Sequence, residues 1–232
     1  MSFCKDAWTQ TERLQQAILD HPFNKALAAG SLDLDRFHFY LAQDARYLAG
    51  FAQALAAAST RADNAEEAAF FARSAQTALV AERTLHAGYL EGVDVSGIAT
   101  APSALAYVSF LHSVALTRGY PELVAAVLPC FWVYQHVGSH IADAVGELAG
   151  HPYEKWIATY ADEEFAASVD TAKQIADRVA ADNAAHADAM TAAFVRGCEY
   201  EWMFWDAAWQ RETWPTQQWV SIPTGAARFD IR

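Results

Sequence analysis

The sequence has few residues that interrupt a helix and few that could cross-link the chain. Of 232 residues, 7 are proline, 11 are glycine and 3 are cysteine. The cysteines, Cys4, Cys130 and Cys198, are too few and too scattered for a disulfide framework, which favours a reducing, cytoplasmic setting. The N-terminus carries Lys5 and Asp6 and lacks the apolar core of a signal peptide. No apolar run approaches the roughly 20 residues that cross a bilayer, so we expect no transmembrane helix.

Basic residues are also scarce, and several nucleotide-binding motifs are missing. The chain has 16 Lys and Arg against 28 Asp and Glu, a formal net charge of -12, and its basic residues form no cluster. Because nucleic-acid binding depends on Lys and Arg that neutralise phosphates, we expect no nucleic-acid partner. The sequence contains no GxGxxG, no Walker loop and no Gly-x-Ser-x-Gly, so phosphoryl and nucleotide-dependent redox chemistry receive no support.

What is abundant is alanine and apolar residues at helical spacing. Hydrophobic residues make up 53% of the chain and charged residues 19%, a balance typical of one folded domain. The spacing predicts an all-α, multi-helix bundle, with a helical domain at 1–213 and a surface tail at 214–232. The predicted helices cover roughly 5–20, 34–60, 64–91, 103–118, 121–149, 153–180 and 184–212.

Three polar residues interrupt the apolar stripes of three predicted helices. Asp44 lies between Leu41 and Leu48, and Cys130 lies one turn before Tyr134. Glu201 lies on the apolar stripe of the last helix. A buried carboxylate without a partner costs several kcal/mol, so two of them need a reason. Side chains that point inward from three helices converge in the bundle interior, where such folds place ligand sites. The structural alternatives stay open: the thiol packs as a small apolar group, and each acid pairs with an arginine or backbone group.

The surroundings of Cys130 bear on its reactivity. Pro129 precedes it, and a proline either begins a helix or kinks one. If a helix begins there, its positive end lowers the pKa of the thiol and favours the thiolate; a kink weakens that argument. Flat heteroaromatic ligands need aromatic walls. Four tyrosines could supply such walls, although core packing alone also accounts for these tyrosines: Tyr47, Tyr107, Tyr134 and Tyr160.

Two pairs of residues have a spacing that could bind a metal ion. Glu82 and His86 lie one helical turn apart, as do His136 and His140. The sequence has no HExxH, no pair of Glu-x-x-His motifs and no Cys-x-x-Cys, and eight histidines produce such pairs by chance. We therefore expect no metal site and no cofactor.

Four blocks of sequence resemble the TenA family of thiaminase II enzymes. They occur in the family's order and span nearly the whole chain up to Pro215. The four blocks are Gln-Asp-Ala-Arg-Tyr-Leu at 43–48, Leu-Pro-Cys-Phe-Trp-Val-Tyr at 128–134, Trp-Ile-Ala-Thr-Tyr at 156–160 with Glu-Phe at 164–165, and Tyr-Glu-Trp-Met-Phe-Trp-Asp-Ala-Ala at 200–208.

This resemblance implies a haem-oxygenase-like bundle, a homotetramer and an active site enclosed in each subunit. It also implies a small-molecule pyrimidine substrate and a hydrolase of thiamin salvage or degradation. Members of the family convert aminomethylpyrimidine to hydroxymethylpyrimidine and ammonia, or cleave thiamin between its pyrimidine and thiazole halves. The sequence does not choose between these two substrates.

The resemblance also implies roles for individual residues. Cys130 is expected to be the nucleophile that adds to the pyrimidine, Glu201 to protonate or hydrogen-bond a ring nitrogen, and Asp44 to hold the exocyclic amine and assist proton transfer. Residues expected to line and stack the ring are Tyr47, Tyr107, Tyr134, Tyr160 and Phe204. Two other functions stay open: a metal-dependent oxidase on the same scaffold that uses Glu82 and His86, and a non-catalytic regulator that binds a ligand.

Overall fold

The computed structural model describes residues 2–90, 95 and 97–219. Within the first range, it describes only the backbone of residues 81–88. The described residues form helices joined by turns and loops and no strand, which confirms the prediction of an all-α bundle. The helices are α1 (Phe3–Leu19), α2 (Pro22–Ala28), α3 (Leu34–Arg61), α4 (Ala65–Tyr89), α5 (Pro102–Thr117), α6 (Tyr120–Val145), α7 (Glu154–Tyr160), α8 (Glu163–Asp182) and α9 (Ala187–Gln210), with short 3₁₀ turns at Ala184–His186 and Gln217–Trp219.

Two predicted boundaries differ because polar side chains cap short helices. The predicted break at His21 contains α2, whose first turn is capped by the His21 Nδ1, which accepts a hydrogen bond from the amide of Phe23 at 3.2 Å. The predicted helix 153–180 is divided into α7 and α8. Asp162 ends the continuity, since its carboxylate accepts hydrogen bonds from the amides of Glu164 and Phe165 at 2.8 and 3.2 Å.

Helix α6 lies at the centre of the bundle. Every side chain from Tyr120 to Phe131 is buried, and the helix packs against α9, α8, α7, α3 and α5. A helix that is buried on all sides needs apolar residues around its whole circumference, which explains why its sequence is so much more apolar than that of α1 or α8. Cys130 therefore lies in the middle of the molecule rather than at a helix end.

Pro129 lies inside α6, as the predicted helix 121–149 requires, so the alternative of a helix start at this residue does not apply. Proline removes one hydrogen bond of the helical ladder, here the one to the carbonyl of Ala125. Its ring packs against Gly197 of α9, where an added Cβ would be 2.6 Å from the Pro129 Cγ and 3.3 Å from the Ala126 carbonyl oxygen. The missing side chain at Gly197 lets α9 approach α6 closely.

A second close approach brings α7 against α6. An added Cβ on Gly138 would be 2.5 Å from the Cβ of Tyr160 and 2.9 Å from its carbonyl oxygen. The bare glycine thus lets the end of α7 lie on α6. As a result Tyr160 lies beside Tyr134, with ring centroids 4.9 Å apart.

Helices α4 and α8 are joined at one end by a partly buried ion pair. The guanidinium of Arg178 donates two hydrogen bonds to the carboxylate of Glu67, one of them to Oε2 at 2.7 Å. The hydroxyl of Tyr120 donates to the same Oε2 at 2.7 Å, which also ties α6 to the pair. Burial of the Glu67 carboxylate is tolerated here because both of its oxygens accept hydrogen bonds.

None of the helices in the described residues is long and apolar enough to cross a membrane. Of the predicted tail, Trp214 donates its indole N–H to the carbonyl of Thr100 at 2.9 Å, and a 3₁₀ turn follows at Gln217–Trp219. Residues 220–232 of the predicted tail lie outside the described residues.

We expect Gly197→Ala to lower the free energy of unfolding by about 1–3 kcal/mol, because the added methyl group forces α9 away from Pro129. Urea denaturation followed by circular dichroism measures this loss. Gly97→Ala is the control, since a Cβ at Gly97 meets open space. An unchanged transition for Gly197→Ala would contradict the close approach.

Candidate active site

A cleft of about 880 Å³ lies between α3, α4, α6, α7 and α8. At its inner end are four of the side chains that the sequence singled out: Asp44 from α3, Cys130 and Tyr134 from α6, and Tyr160 from the end of α7. All but Tyr160 are buried by the fold, and Asp44 is only 2% exposed. Towards solvent, the described part of the cleft continues between α4 and α8.

The other four predicted site residues lie behind this inner end and are buried. Tyr107 of α5 donates its hydroxyl to the Oε1 of Glu201 of α9 at 2.6 Å. The ring of Tyr47 lies 4.7 Å from that of Tyr107 and 5.5 Å from that of Phe204, centroid to centroid. The structure therefore gathers all eight residues into one region, with four on the cleft surface and four in the layer beneath it.

The sequence analysis did not single out Tyr40, which belongs to the same cluster. Its hydroxyl lies 3.5 Å from that of Tyr134 and accepts a hydrogen bond from the indole N–H of Trp156 at 3.2 Å. Its ring stacks on Trp205, with centroids 5.4 Å apart and planes 9° apart. The signal was available, since Tyr40 lies one helical turn before Asp44 and so shares its inward face.

The protein was compared with family models, curated proteins and solved structures. Residues 8–211 match the model of the TENA/THI-4/PQQC family. The chain belongs to this family. It is 30% identical over 221 residues to the aminopyrimidine aminohydrolase of Bacillus subtilis (strain 168), with 92% of each chain covered.

Two further relatives extend this finding. The chain is 35% identical over 217 residues to the thiamine biosynthesis multifunctional protein ThiED of Corynebacterium efficiens, covering 91% of this chain and 29% of that protein. The TenA homologue from P. horikoshii OT3 superposes with a TM-score of 0.79 at 26% identity, covering 90% of this chain and 99% of that one. A domain from Shewanella denitrificans with a haem-oxygenase-like fold superposes with a TM-score of 0.71 at 13% identity and covers 90% and 92% of the two chains, which confirms the predicted fold class.

In this member of the TENA/THI-4/PQQC family, Glu201 has an unusual protonation equilibrium. Burial raises its pKa to about 8, the nearby charge of Asp44 acts in the same direction, and the hydrogen bond from Tyr107 opposes both. A carboxyl group with such a pKa is mostly protonated at neutral pH. Glu201 can therefore donate a proton or a hydrogen bond.

The thiol of Cys130 has a raised pKa. Burial raises this pKa well above the usual value, and the charges of Glu201 and Asp44 raise it further. The hydroxyl of Tyr47, which lies beside the sulfur, lowers the pKa but does not outweigh these effects. The lowering that a helix start would cause does not arise, because Pro129 lies inside α6. The thiol is therefore protonated at neutral pH.

Two pairs of residues have the spacing of metal ligands, although we expected no metal site. The side chains of Glu82 and His86 lie outside the described side chains. His136 packs its ring edge-on against Trp8, with centroids 5.1 Å apart. Among the side chains that the structure describes, no group of three or more His, Cys, Asp or Glu could hold a metal ion.

The raised pKa of Glu201 predicts a pH dependence of stability. Between the unfolded pKa of about 4.5 and the folded pKa of about 8, the folded state keeps a proton that the unfolded state releases. Stability should therefore fall as the pH rises through this window, by up to about 1.4 kcal/mol per pH unit from this group.

Urea denaturation at pH 5, 6.5 and 8 tests this dependence. Glu201→Gln should have a shallower decline, whereas Glu199→Gln, on the same helix with its side chain 45% exposed, should decline like the unaltered protein. Parallel curves for the protein and Glu201→Gln would show that Glu201 is ionised throughout.

Proposed function

We propose that this protein hydrolyses aminomethylpyrimidine to hydroxymethylpyrimidine and ammonia, with Cys130 as the nucleophile. The observation that carries the proposal is the inner end of the cleft, where a cysteine lies among tyrosines and beside two acids in different environments. The relative in Bacillus subtilis that matches 92% of the chain is named aminopyrimidine aminohydrolase, which supports the same substrate class.

Glu201 is the group that we assign to activate the ring. Tyr107 donates to its Oε1, so Oε2 is the oxygen that carries the proton. Donation of that proton to a ring nitrogen makes the pyrimidine electrophilic and prepares it for attack. Two nearby carboxyl groups in different environments are a common arrangement when one site needs both an acid and a base.

Cys130 then adds to the activated ring. The thiol proton leaves as the carbon–sulfur bond forms, and we assign Asp44, which lies at the same end of the cleft, as the group that takes it. The nitrogen of the aminomethyl group takes this proton from Asp44 and departs as ammonia when its bond to the methylene carbon breaks. Water then adds at the methylene carbon and the thiol is released, so the net reaction consumes one water. This route splits a difficult substitution into two easier steps.

The remaining predicted residues are assigned to hold the substrate. Asp44 accepts a hydrogen bond from the ring's amino group, and Tyr134 and Tyr160, which line the cleft, pack on the flat faces of the ring. Tyr47, Tyr107 and Phe204 lie in the layer beneath and are assigned to support this aromatic wall. Tyr40 is assigned to hold the Tyr134 hydroxyl in place.

Thiamin is a second candidate substrate, because it carries the same pyrimidine and the ThiED relative is named for thiamine biosynthesis. A panel that contains both compounds, with ammonia and thiazole measured separately, distinguishes the two activities. We also propose that the protein works in a reducing, cytoplasmic compartment, where its three buried cysteines stay free, and that it assembles as a homotetramer. Light scattering coupled to gel filtration tests the assembly.

A metal-dependent oxidase on the same scaffold is the main competing function, and chelation separates it from a hydrolase. We expect protein treated with EDTA to keep its full aminopyrimidine hydrolase activity, because the proposed mechanism uses only side chains. Ammonia release is measured before and after treatment, together with elemental analysis. Loss of activity that iron or manganese restores would favour the oxidase.

The cysteine assignment predicts a large effect of one substitution. Cys130→Ser should lower kcat by on the order of 10²-fold or more, because a hydroxyl is a far weaker nucleophile than the thiolate that forms during attack. Product binding, measured by calorimetry, should persist because the acids and tyrosines hold the ring.

Cys198→Ser is the matched control, since Cys198 is also buried but packs against Gln15 on the α1 side of α9. It should keep near-normal turnover. If Cys130→Ser keeps near-normal turnover as well, the sulfur only fills space and a water positioned by the acids performs the attack.

A further inference from the structure

The cleft extends well beyond the side chains that the proposed reaction uses. Its volume of about 880 Å³ lies within the ~300–1,000 Å³ typical of pockets for drug-sized ligands. A single pyrimidine ring with small substituents fills only a fraction of such a space. The inner end already provides the nucleophile and the aromatic walls, so the remaining space lies outward, between α4 and α8.

This outer part of the cleft has a different composition from the inner end. Residues at helical spacing on α4 face residues at helical spacing on α8, and several of them carry hydroxyl groups. The polar residues that define this outer part are Arg73, Ser74 and Thr77 on α4, Ser168 and Thr171 on α8, and Asp162 and Glu164 at the start of α8.

Arg73 is the feature that points to the kind of ligand. It is the one basic side chain among the described residues that line the cleft. It is exposed, and within the described part of the chain it makes no hydrogen bond or ion pair, so its donors are available to a ligand. In a protein of formal net charge -12, an unpaired cation at the cleft mouth creates a local site for a negative group.

The other polar groups of the outer part fit this interpretation. Ser168 and Thr171 donate their hydroxyls to carbonyls of their own helix at 3.1 and 2.9 Å, so towards the cleft they act as acceptors. Asp162 already accepts two backbone N–H groups as the cap of α8. Neither Asp162 nor Glu164 forms an ion pair with Arg73. The negative group of a ligand therefore belongs beside α4, and the polar linker that joins it to the rest of the ligand belongs along α8.

We propose that the outer part of the cleft is a subsite for the leaving group, and that it selects substrates whose amine bears an extended arm ending in a carboxylate or phosphate. The inference rests on the proposed function, because it places the pyrimidine at the inner end. In the reaction, the bond between the methylene carbon and the nitrogen breaks, and the hydroxyl of water joins the carbon. The nitrogen takes a proton and leaves as the arm-bearing amine.

Matched substrates test the subsite. Four pyrimidinylmethylamines are compared: the unsubstituted amine, its N-(2-carboxyethyl) and N-(2-phosphoethyl) derivatives, and the neutral amide of the carboxyethyl compound. The protein should process the carboxylate or the phosphate compound with a kcat/KM about tenfold above that of the amide, mostly through KM, because a charged hydrogen bond to Arg73 is gained. The arm with the larger preference identifies the anion.

Variants test whether the preference for anionic substrates depends on Arg73. In Arg73→Gln the ratio of kcat/KM for the anionic substrate to kcat/KM for the amide should fall to about one. In Arg13→Gln, which alters an exposed arginine on α1 away from the cleft, the ratio should stay near ten. Calorimetry of the same compounds with Cys130→Ala gives the binding preference without turnover.

Each outcome decides between the two proposals. Turnover of the unsubstituted amine with no anion preference overturns the subsite and leaves the proposed function intact. An anion preference in binding without turnover of any compound supports the subsite and overturns the proposed reaction. A ratio that persists in Arg73→Gln overturns the assignment to Arg73, and absence of both binding preference and turnover overturns both proposals.

Discussion

The site depends on the close contact between α6 and α9 at Pro129 and Gly197. A Cβ on Gly197 would lie 2.6 Å from the proline ring, so the two helices approach as closely as backbone and ring allow. Cys130 follows Pro129 directly, and Glu201 lies one turn after Gly197. The same contact that packs the core therefore places the thiol beside the acid. The missing backbone hydrogen bond at the proline is the cost of this arrangement.

Burial then decides the chemistry of the two groups. Water is excluded from this region, so the neutral forms of Glu201 and Cys130 are favoured, and their pKa values rise. The hydrogen bond from Tyr107 satisfies one oxygen of Glu201 without supplying a positive charge. The resting site thus holds a proton on the acid and a proton on the thiol.

The cleft changes character along its length. The inner end is aromatic, whereas the outer part is polar, and Arg73 there has no partner within the described residues. Tyr160 lies on the inner side because Gly138 lets α7 pack against α6. At the far end, the ion pair of Arg178 and Glu67 joins the two helices that flank the outer part.

Helical periodicity alone predicted the fold class, most helix boundaries and the inward direction of Asp44, Cys130 and Glu201. These features are local, since apolar spacing and helix-breaking residues act within a few positions along the chain. The sequence placed Pro129 within a predicted helix but left open whether a helix starts at the proline, because its contact with Gly197, 68 positions later, is a tertiary feature. The direction of the Cys130 pKa shift stayed open for the same reason. Tertiary structure alone decided that Glu201 lies beneath the cleft surface with Tyr107, and that Arg73 lines the cleft together with residues of α8. Each of these depends on which helices meet in space, and residue spacing within one helix carries no information about that.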